Sequence, residues 1–280
     1  MRVAVAQIAS HPSDLDANLR KHLDVIDAAR ADGVEVLLFP EMSLTGHGAG
    51  ADTLSLAIGR DHPHVTAIAQ ASGRMCTVFG LIEERPAAQF HNSAFIVRGG
   101  DVIFVHRKIN LATYGRLEDG KHFGAGRSVD TCDVDDRWRA SVMICADCWN
   151  PSLVHLAALR GTTLLLAPVS SALEAVGAEF DNPRGWEVNL AFYAMTYGMP
   201  VMMANRVGNE GELTFWGGSR ILDPFGSALV QAAGDEETLL RATLDYDRLR
   251  KARYLLPTVR DANLPLLQQE IERIASEGRS

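Results

Sequence analysis

The stretch that decides the fold is RVAVAQIASHPSDLDANLRKHLDVIDAARADGVEVLLFP, residues 2–40. Residues 2–9 have the alternating apolar pattern of a strand, and the short apolar run 34–40 ends at a proline, which is typical of a buried strand. Between these runs, leucines and an isoleucine recur at helical spacing, with Ser13 as the predicted N-cap and Gly33 as the stop signal. A strand, a helix and a second strand in this order predict a parallel pair with a right-handed crossover.

The rest of the chain continues this alternation and adds hairpins. Two β-rich runs flank Gly99-Gly100, which predicts a hairpin and therefore a mixed sheet. Asn150 and Pro151 predict the N-cap and the first residue of another helix. No stretch has the composition of a linker. We therefore predict an α/β fold in a single domain, residues 1–280, with helices covering the sheets and a polar helical tail from about residue 247.

Composition and charge argue against several classes of protein. The net charge is −8, and no run of five basic residues is present, which argues against nucleic acid as a partner. Four cysteines in 280 residues do not make a disulfide scaffold and suit a reducing compartment. The longest uncharged stretch, 190–204, is 15 residues and too interrupted to span a bilayer, and no signal-peptide pattern opens the chain. We expect a cytoplasmic protein that does not bind membranes.

Three polar residues follow apolar strands directly: Glu41, Lys108 and Cys145. Sites in α/β proteins lie beyond the carboxyl ends of strands, so these residues are candidates for one site. A carboxylate can act as the base for a thiol, and an ammonium can stabilise the oxyanion that forms when a thiolate attacks a carbonyl or nitrile carbon. The alternative is that Cys145 and Cys148 form a redox-active CxxC pair, or that both are core cysteines.

The blocks around these residues resemble the nitrilase, or carbon–nitrogen hydrolase, superfamily. The resemblance runs nearly end to end, and its blocks are LLFPEMSLTGHG, VHRKINLATYGRLEDGKHFGAG, SVMICADCWNPSL, LLLAPVSS and ANRVGNEGELTFWGGSRILDPFG. It implies a four-layer α-β-β-α sandwich with mixed sheets. It also implies a catalytic triad in which Glu41 is the general base, Lys108 stabilises the tetrahedral intermediate and Cys145 is the nucleophile. The backbone N–H of Ala146 would join Lys108 at the oxyanion, and neither a metal nor an organic cofactor is implied.

Other residues of these blocks are expected near the site. Members of the superfamily often carry an acid after the lysine, and here the register favours Asp119 while the side-chain chemistry favours its neighbour Glu118. Tyr114 and Trp149 stand next to the catalytic blocks, where they form either the core or a wall of the acyl pocket.

The residues after the nucleophile indicate the reaction. Amide-cleaving branches of the superfamily commonly have an aspartate two positions after the cysteine, which is Asp147 here. The resemblance therefore implies hydrolysis of a small amide or an N-carbamoyl compound through a cysteine thioester. A nitrilase is one alternative, and a non-hydrolytic binding or redox protein that uses Cys145 and Cys148 is another. The lysine block also resembles the glutaminase domains of NAD synthetases. Relatives associate through their outer helices, so we expect a homodimer or a larger homo-oligomer.

Overall fold

The computed structural model describes residues 1–46, 52–115, 117–177 and 179–277. The strands are β1 (Arg2–Gln7), β2 (Val36–Leu38), β3 (Cys76–Arg85), β4 (Gln89–Arg98), β5 (Asp101–Arg107), β6 (Cys132–Asp133), β7 (Arg139–Val142), β8 (Leu164–Val169), β9 (Val201–Asn205), β10 (Val207–Glu210), β11 (Leu213–Trp216), β12 (Arg220–Leu222), β13 (Ala228–Gln231) and β14 (Thr238–Thr243). The helices are α1 (Leu15–Ala31), α2 (Thr53–Leu56), α3 (Pro63–Ser72), α4 (Asp119–His122), α5 (Pro151–Leu159), α6 (Asn182–Tyr197), α7 (Tyr246–Leu255) and α8 (Leu264–Glu277). A short 3₁₀ helix covers Cys145–Trp149.

Two six-stranded mixed sheets form the centre of the molecule. The first has the order β14-β1-β2-β3-β4-β5, and β1, β2 and β3 are parallel. The second has the order β13-β12-β9-β8-β7-β6, and β7, β8 and β9 are parallel. The hairpin predicted at Gly99-Gly100 is confirmed, since β4 and β5 pair antiparallel around it. Strands β10 and β11 form a separate two-stranded sheet.

Successive side chains of a strand point to opposite faces of its sheet, so each sheet packs against the other sheet on one face and against helices on the other. In β2, Val36 and Leu38 point into the core between the two sheets, while Leu37 points to the opposite face and packs under α1 and α3. The second sheet behaves in the same way, because its other face packs under α5 and α6. The predicted α-β-β-α sandwich with mixed sheets is therefore confirmed.

Two helix starts test the capping predictions. Asn150 caps α5, since its side chain accepts a hydrogen bond from the N–H of Ser152, as predicted. The prediction that Ser13 caps α1 is wrong by one residue. The cap is Asp14, which accepts from the N–H of Ala17, while Ser13 adopts a φ of 58° and donates its hydroxyl to Asp52.

The C-terminal helices differ in how they pack. Helix α7 buries Leu249 and Ala252, and Leu249 belongs to the core between the sheets. Helix α8 buries none of its described residues. Over the described residues, no helix combines the length and the apolar character needed to cross a membrane.

Candidate active site

Glu41 lies in a tight turn, residues 41–45, just beyond β2. Met42 adopts a φ of 50° in this turn, and a side chain at Gly80 would collide with the backbone nitrogen of Met42. The glycine in β3 therefore allows the turn to lie against the neighbouring strand, where the N–H of Leu44 donates to the carbonyl of Gly80 at 2.9 Å. As a result, the Glu41 side chain is almost completely buried.

Lys108 follows β5 and is held between two carboxylates. Its Nζ lies 2.7 Å from Oε1 of Glu41 and 2.6 Å from Oδ2 of Asp119, and all three side chains are buried. Asn92 of β4 donates from Nδ2 to the same Oε1 of Glu41 at 2.7 Å. Two donors therefore fix one oxygen of Glu41. Within the described part of the chain, its other oxygen, Oε2, is buried and has no hydrogen-bond partner.

The charge of Lys108 is stabilised by its surroundings. Burial disfavours the ammonium, but the neighbouring carboxylates of Glu41 and Asp119 favour it, and the pKa of Lys108 is raised well above its usual value. Lys108 therefore remains positively charged through the neutral and mildly alkaline range.

Cys145 begins the short 3₁₀ helix after β7, and its backbone φ is 44°. A non-glycine residue rarely occupies this left-handed region, and such strain often accompanies functional sites. Burial raises the pKa of the Cys145 thiol, and the charge of Glu41 raises it further, while Lys108 and a backbone hydrogen bond from Ser170 oppose the shift. The thiol is therefore protonated near neutral pH and needs a base.

Hydrogen bonds join Lys108 to Glu41 and Asp119, and these three charged groups lie near enough to Cys145 to shift the pKa of its thiol. Tyr114 is partly exposed, and its hydroxyl also feels these four groups. Burial and the neighbouring Cys145 raise the pKa of Tyr114 to about 12.

The other expected residues, Ala146, Trp149 and Glu118, differ in burial and in their contacts. Ala146 is buried within the 3₁₀ helix that Cys145 begins. Trp149 packs edge-to-face on Trp186 and Phe180, with ring centroids 5.0 and 5.6 Å away. The expectation that Glu118 supports the site is not met, because its carboxylate is exposed and pairs with Lys121.

Asn92 is a site residue that the sequence analysis missed. A regular hairpin that pairs Arg98 with Asp101 would place His91 opposite Lys108. A register shift between Ile96 and Val97 moves the pairing by one residue, so that Ser93 pairs with Arg107 and Asn92 lies opposite Lys108. Nothing in the sequence marks this shift.

Comparison with known proteins gives the family. The family model described as carbon-nitrogen hydrolase matches residues 2–254. The chain belongs to the carbon–nitrogen hydrolase family. The resemblance to the nitrilase superfamily is therefore confirmed.

Proteins similar in sequence to this chain are named for different activities. The chain is 30% identical over 263 residues, 91% of this chain and 86% of the other, to a protein of Pseudomonas protegens named as a hydrolase in the pqqF 5′ region. It is 28% identical over 251 residues to the glutamine-dependent NAD⁺ synthetase of Thermotoga maritima; these residues are 88% of this chain but only 42% of the synthetase. The chain thus spans less than half the length of that relative.

A solved structure with the same fold is an amidase variant from Nesterenkonia sp. AN1, in which glutamine replaces a glutamate. It shows the product of Michael addition of acrylamide at the active-site cysteine. The two chains are 26% identical, with a TM-score of 0.77 over 91% of this chain and 98% of the other.

Proposed function

We propose that this carbon–nitrogen hydrolase cleaves a small amide or N-carbamoyl compound, with Cys145 as nucleophile, Glu41 as general base and Lys108 as the oxyanion partner. The observation that carries the proposal is the asymmetry of Glu41. Lys108 and Asn92 both donate to Oε1, and Oε2 is left without a partner among the described residues. A buried acceptor without a donor is costly unless a ligand satisfies it, so Oε2 is suited to take a proton from a substrate or the thiol.

The first half of the reaction would form an acyl-enzyme. The sulfur of Cys145 attacks the carbonyl carbon while its proton passes to Oε2 of Glu41. The negative oxygen of the tetrahedral intermediate is stabilised by Lys108 and the backbone N–H of Ala146. When the intermediate collapses, the C–N bond breaks, Glu41 returns the proton to the leaving nitrogen, and ammonia or an amine departs. A thioester on Cys145 remains.

The second half would hydrolyse the thioester. Water attacks the acyl carbon while Oε2 of Glu41 accepts one of its protons. The C–S bond then breaks, the thiol regains a proton, and a carboxylic acid leaves. Asp119 accepts a second hydrogen bond from Nζ of Lys108, so the ammonium would remain in place through both halves.

The substrate class rests on the position of Asp147 and on the relatives. The Nesterenkonia structure bears a small amide on its cysteine, which favours a small amide here. The synthetase relative is named as glutamine-dependent, which makes glutamine a reasonable member of the test set. Since a nitrile carbon also accepts a thiolate, a nitrilase is the alternative within the family.

A substrate panel tests the proposal. Ammonia release is measured on aliphatic amides, glutamine, carbamoyl amino acids and aliphatic nitriles, with wild type and Cys145→Ala. We expect turnover of one amide or carbamoyl class, loss of about 10⁴-fold or more in Cys145→Ala, and an acyl adduct on Cys145 by mass spectrometry. Turnover of nitriles alone would replace the amidase assignment, and full activity of Cys145→Ala would rule out the triad.

The surroundings of Cys148 distinguish a hydrolase from a redox protein that would use Cys145 and Cys148 as a pair. Its side chain is fully buried, and its Sγ lies 3.5 Å from the carbonyl of Met143. Burial and the negative charge of Asp147 raise the pKa of the Cys148 thiol, which disfavours the thiolate that disulfide exchange needs. A redox protein would lose its function on Cys148→Ser, whereas a hydrolase would keep most of its turnover.

We further propose that the enzyme works as a homodimer or larger homo-oligomer. Support comes from helix α8, which exposes Leu264, Leu267, Ile271 and Ile274 on a helical stripe. Light scattering of wild type and of the double variant Leu267→Asp, Ile271→Asp tests this. Equal monomeric mass for both would contradict it.

A further inference from the structure

Asp147 is a fully buried carboxylate with four donors. Its Oδ1 accepts from the backbone N–H of Ile109 at 3.0 Å and of Asn110 at 2.7 Å. Its Oδ2 accepts from the backbone N–H of Ile144 at 3.1 Å and from Nε2 of His106 at 2.9 Å. Both carboxylate oxygens are therefore satisfied, and no acceptor capacity is directed at a substrate.

These donors belong to two segments that carry catalytic residues on opposite sheets. Ile109, Asn110 and His106 flank Lys108 at the end of the first sheet, while Ile144 directly precedes Cys145 at the end of the second. A further bond joins the same segments, since Nδ2 of Asn110 donates to the carbonyl of Ala146 at 3.4 Å. Asp147 thus links the chain around Lys108 to the chain around Cys145.

We propose that Asp147 is a positioning residue that sets the distance between the Lys108 ammonium and the Cys145 thiol. This rests on the proposed function. Asp147 touches neither the ammonium nor the thiol in any described contact, and it acts by fixing the backbone on both sides. Misplacing a reacting group by about 1 Å can cost about 10²-fold in rate, so a link of this kind has kinetic consequences.

The variant Asp147→Asn breaks one side of this link. The two N–H groups of Ile109 and Asn110 require an acceptor, so the carbonyl of the new amide must remain at Oδ1. The amide NH₂ then takes the place of Oδ2 and faces the N–H of Ile144, another donor. The segment before Cys145 therefore loses its anchor, while the segment after Lys108 keeps its own.

Asp223 offers a matched control for the same substitution. It is also buried, its Oδ1 accepts from the N–H groups of Phe225 and Ser227 at 2.9 and 3.0 Å, and its Oδ2 pairs with Arg248. It follows β12, whose last residue Leu222 pairs with Val201 at the start of β9. Asp223 thus lies near the amino end of β9, whereas Cys145 lies beyond the carboxyl end of β7, at the other end of the parallel strands. Asp223→Asn should destabilise the fold without moving the site.

Two measurements on Asp147→Asn and Asp223→Asn test the proposal. We expect Asp147→Asn to lower kcat by about 10²-fold with KM little changed, and Asp223→Asn to leave both near wild type. We also expect iodoacetamide to alkylate Cys145, followed on its own peptide by mass spectrometry, several-fold more slowly in Asp147→Asn, because the thiol loses its alignment with Lys108 and Glu41. Unchanged kcat or an unchanged or faster alkylation in folded Asp147→Asn would overturn the proposal.

The alkylation also separates the two hypotheses. If wild type hydrolysed nothing on the panel, the proposed function would fail, and the alkylation rates would still decide whether Asp147 aligns the thiol. If Asp147→Asn does not fold, His106 provides the test. His106→Phe removes one donor to Asp147, whereas His106→Gln keeps one. Slower alkylation in His106→Phe that His106→Gln restores would support the proposal, and equal rates in both variants and wild type would overturn it.

Discussion

Two buried glutamates, Glu83 and Glu41, form ion pairs with consecutive residues at the end of β5, Arg107 and Lys108. Arg107 donates from Nη2 and Nε to Oε1 and Oε2 of Glu83 at 2.5 and 2.7 Å, and Ser93 donates to Oε2 as well at 2.7 Å. Lys108, the next residue, donates to Oε1 of Glu41. The two side chains point to opposite faces because successive residues alternate along an extended chain.

The two glutamates differ in what their oxygens do. Both oxygens of Glu83 have donors, whereas Oε2 of Glu41 has none within the described residues. A carboxylate whose oxygens all have donors stabilises the fold. A buried carboxylate oxygen without a donor lowers stability, but it is able to accept a proton from a reacting group. Burial and charge pairing alone therefore do not distinguish a structural ion pair from a catalytic one, and hydrogen-bond saturation does.

Of the changes that test this comparison of the two glutamates, replacing the oxygen of Glu41 that has no partner among the described residues should have the largest effect. In Glu41→Gln the amide carbonyl still accepts from Lys108 and Asn92, but the group that replaces Oε2 can no longer take a proton. We expect kcat/KM to fall by about 10²–10⁴-fold with the fold intact, measured by steady-state kinetics and thermal unfolding. Activity within a few-fold of wild type would show that another group is the base.

The matched substitution Glu83→Gln should have the opposite outcome. It breaks the two-point pairing with Arg107, and since Arg107 is partly exposed, we expect the free energy of unfolding to fall by about 2 kcal/mol. The turnover of the folded enzyme should remain within about twofold. Urea denaturation and kinetics on the same preparation measure both. Equal losses of activity in the two glutamine variants would remove the distinction between the networks.

A third buried network supports the turn of Glu41. His22 stacks on Phe39 at 4.2 Å, donates from Nδ1 to the carbonyl of Asn18 at 2.7 Å, and contacts Oγ of Ser43 through Nε2 at 2.9 Å. Burial lowers the pKa of His22 from 6.5 to about 4, and the contact with the Asn18 carbonyl only partly offsets this.

The lowered pKa of His22 predicts acid sensitivity. Between pH 6.5 and 4 the unfolded chain binds the proton and the folded chain does not, so stability falls as pH falls through this window. From pH 7 to pH 4 this one group should lower the free energy of unfolding by about 3 kcal/mol. Urea denaturation across this range measures the slope, which His22→Gln should flatten. An equal slope in both proteins would place the sensitivity elsewhere.

The sequence predicted the elements that follow from periodicity and the positions that follow from strand ends. Glu41, Lys108 and Cys145 stand directly after apolar runs, and each run contains a strand of one of the two sheets; β2 and β7 are largely buried, whereas β5 is a partly exposed edge strand. Buried strands with helices between them predicted sheets covered by helices, whereas the four-layer sandwich was implied only by the resemblance to the superfamily.

Contacts that depend on exact register or on side-chain direction were not predictable. Asn92 reaches Glu41 only because a bulge shifts β4 against β5. The choice between Glu118 and Asp119 also needed coordinates. The N–H of Asp119 donates to the carbonyl of Ala112 at 3.0 Å, which holds Asp119 on the inner side of its loop and leaves Glu118 outside.

The smallest expected effect concerns Tyr114, which is partly exposed and whose hydroxyl lies within electrostatic reach of Glu41, Asp119, Lys108 and Cys145. If this hydroxyl donates to the substrate, Tyr114→Phe should lower kcat/KM by about 2–10-fold, the worth of one neutral hydrogen bond, chiefly through KM. Because burial raises its pKa to about 12, the hydroxyl remains protonated through the neutral and mildly alkaline range, and the shape of the pH profile should not change. A changed alkaline limb in Tyr114→Phe would mean that Tyr114 takes part in proton transfer, and Glu41 would then not be the only base.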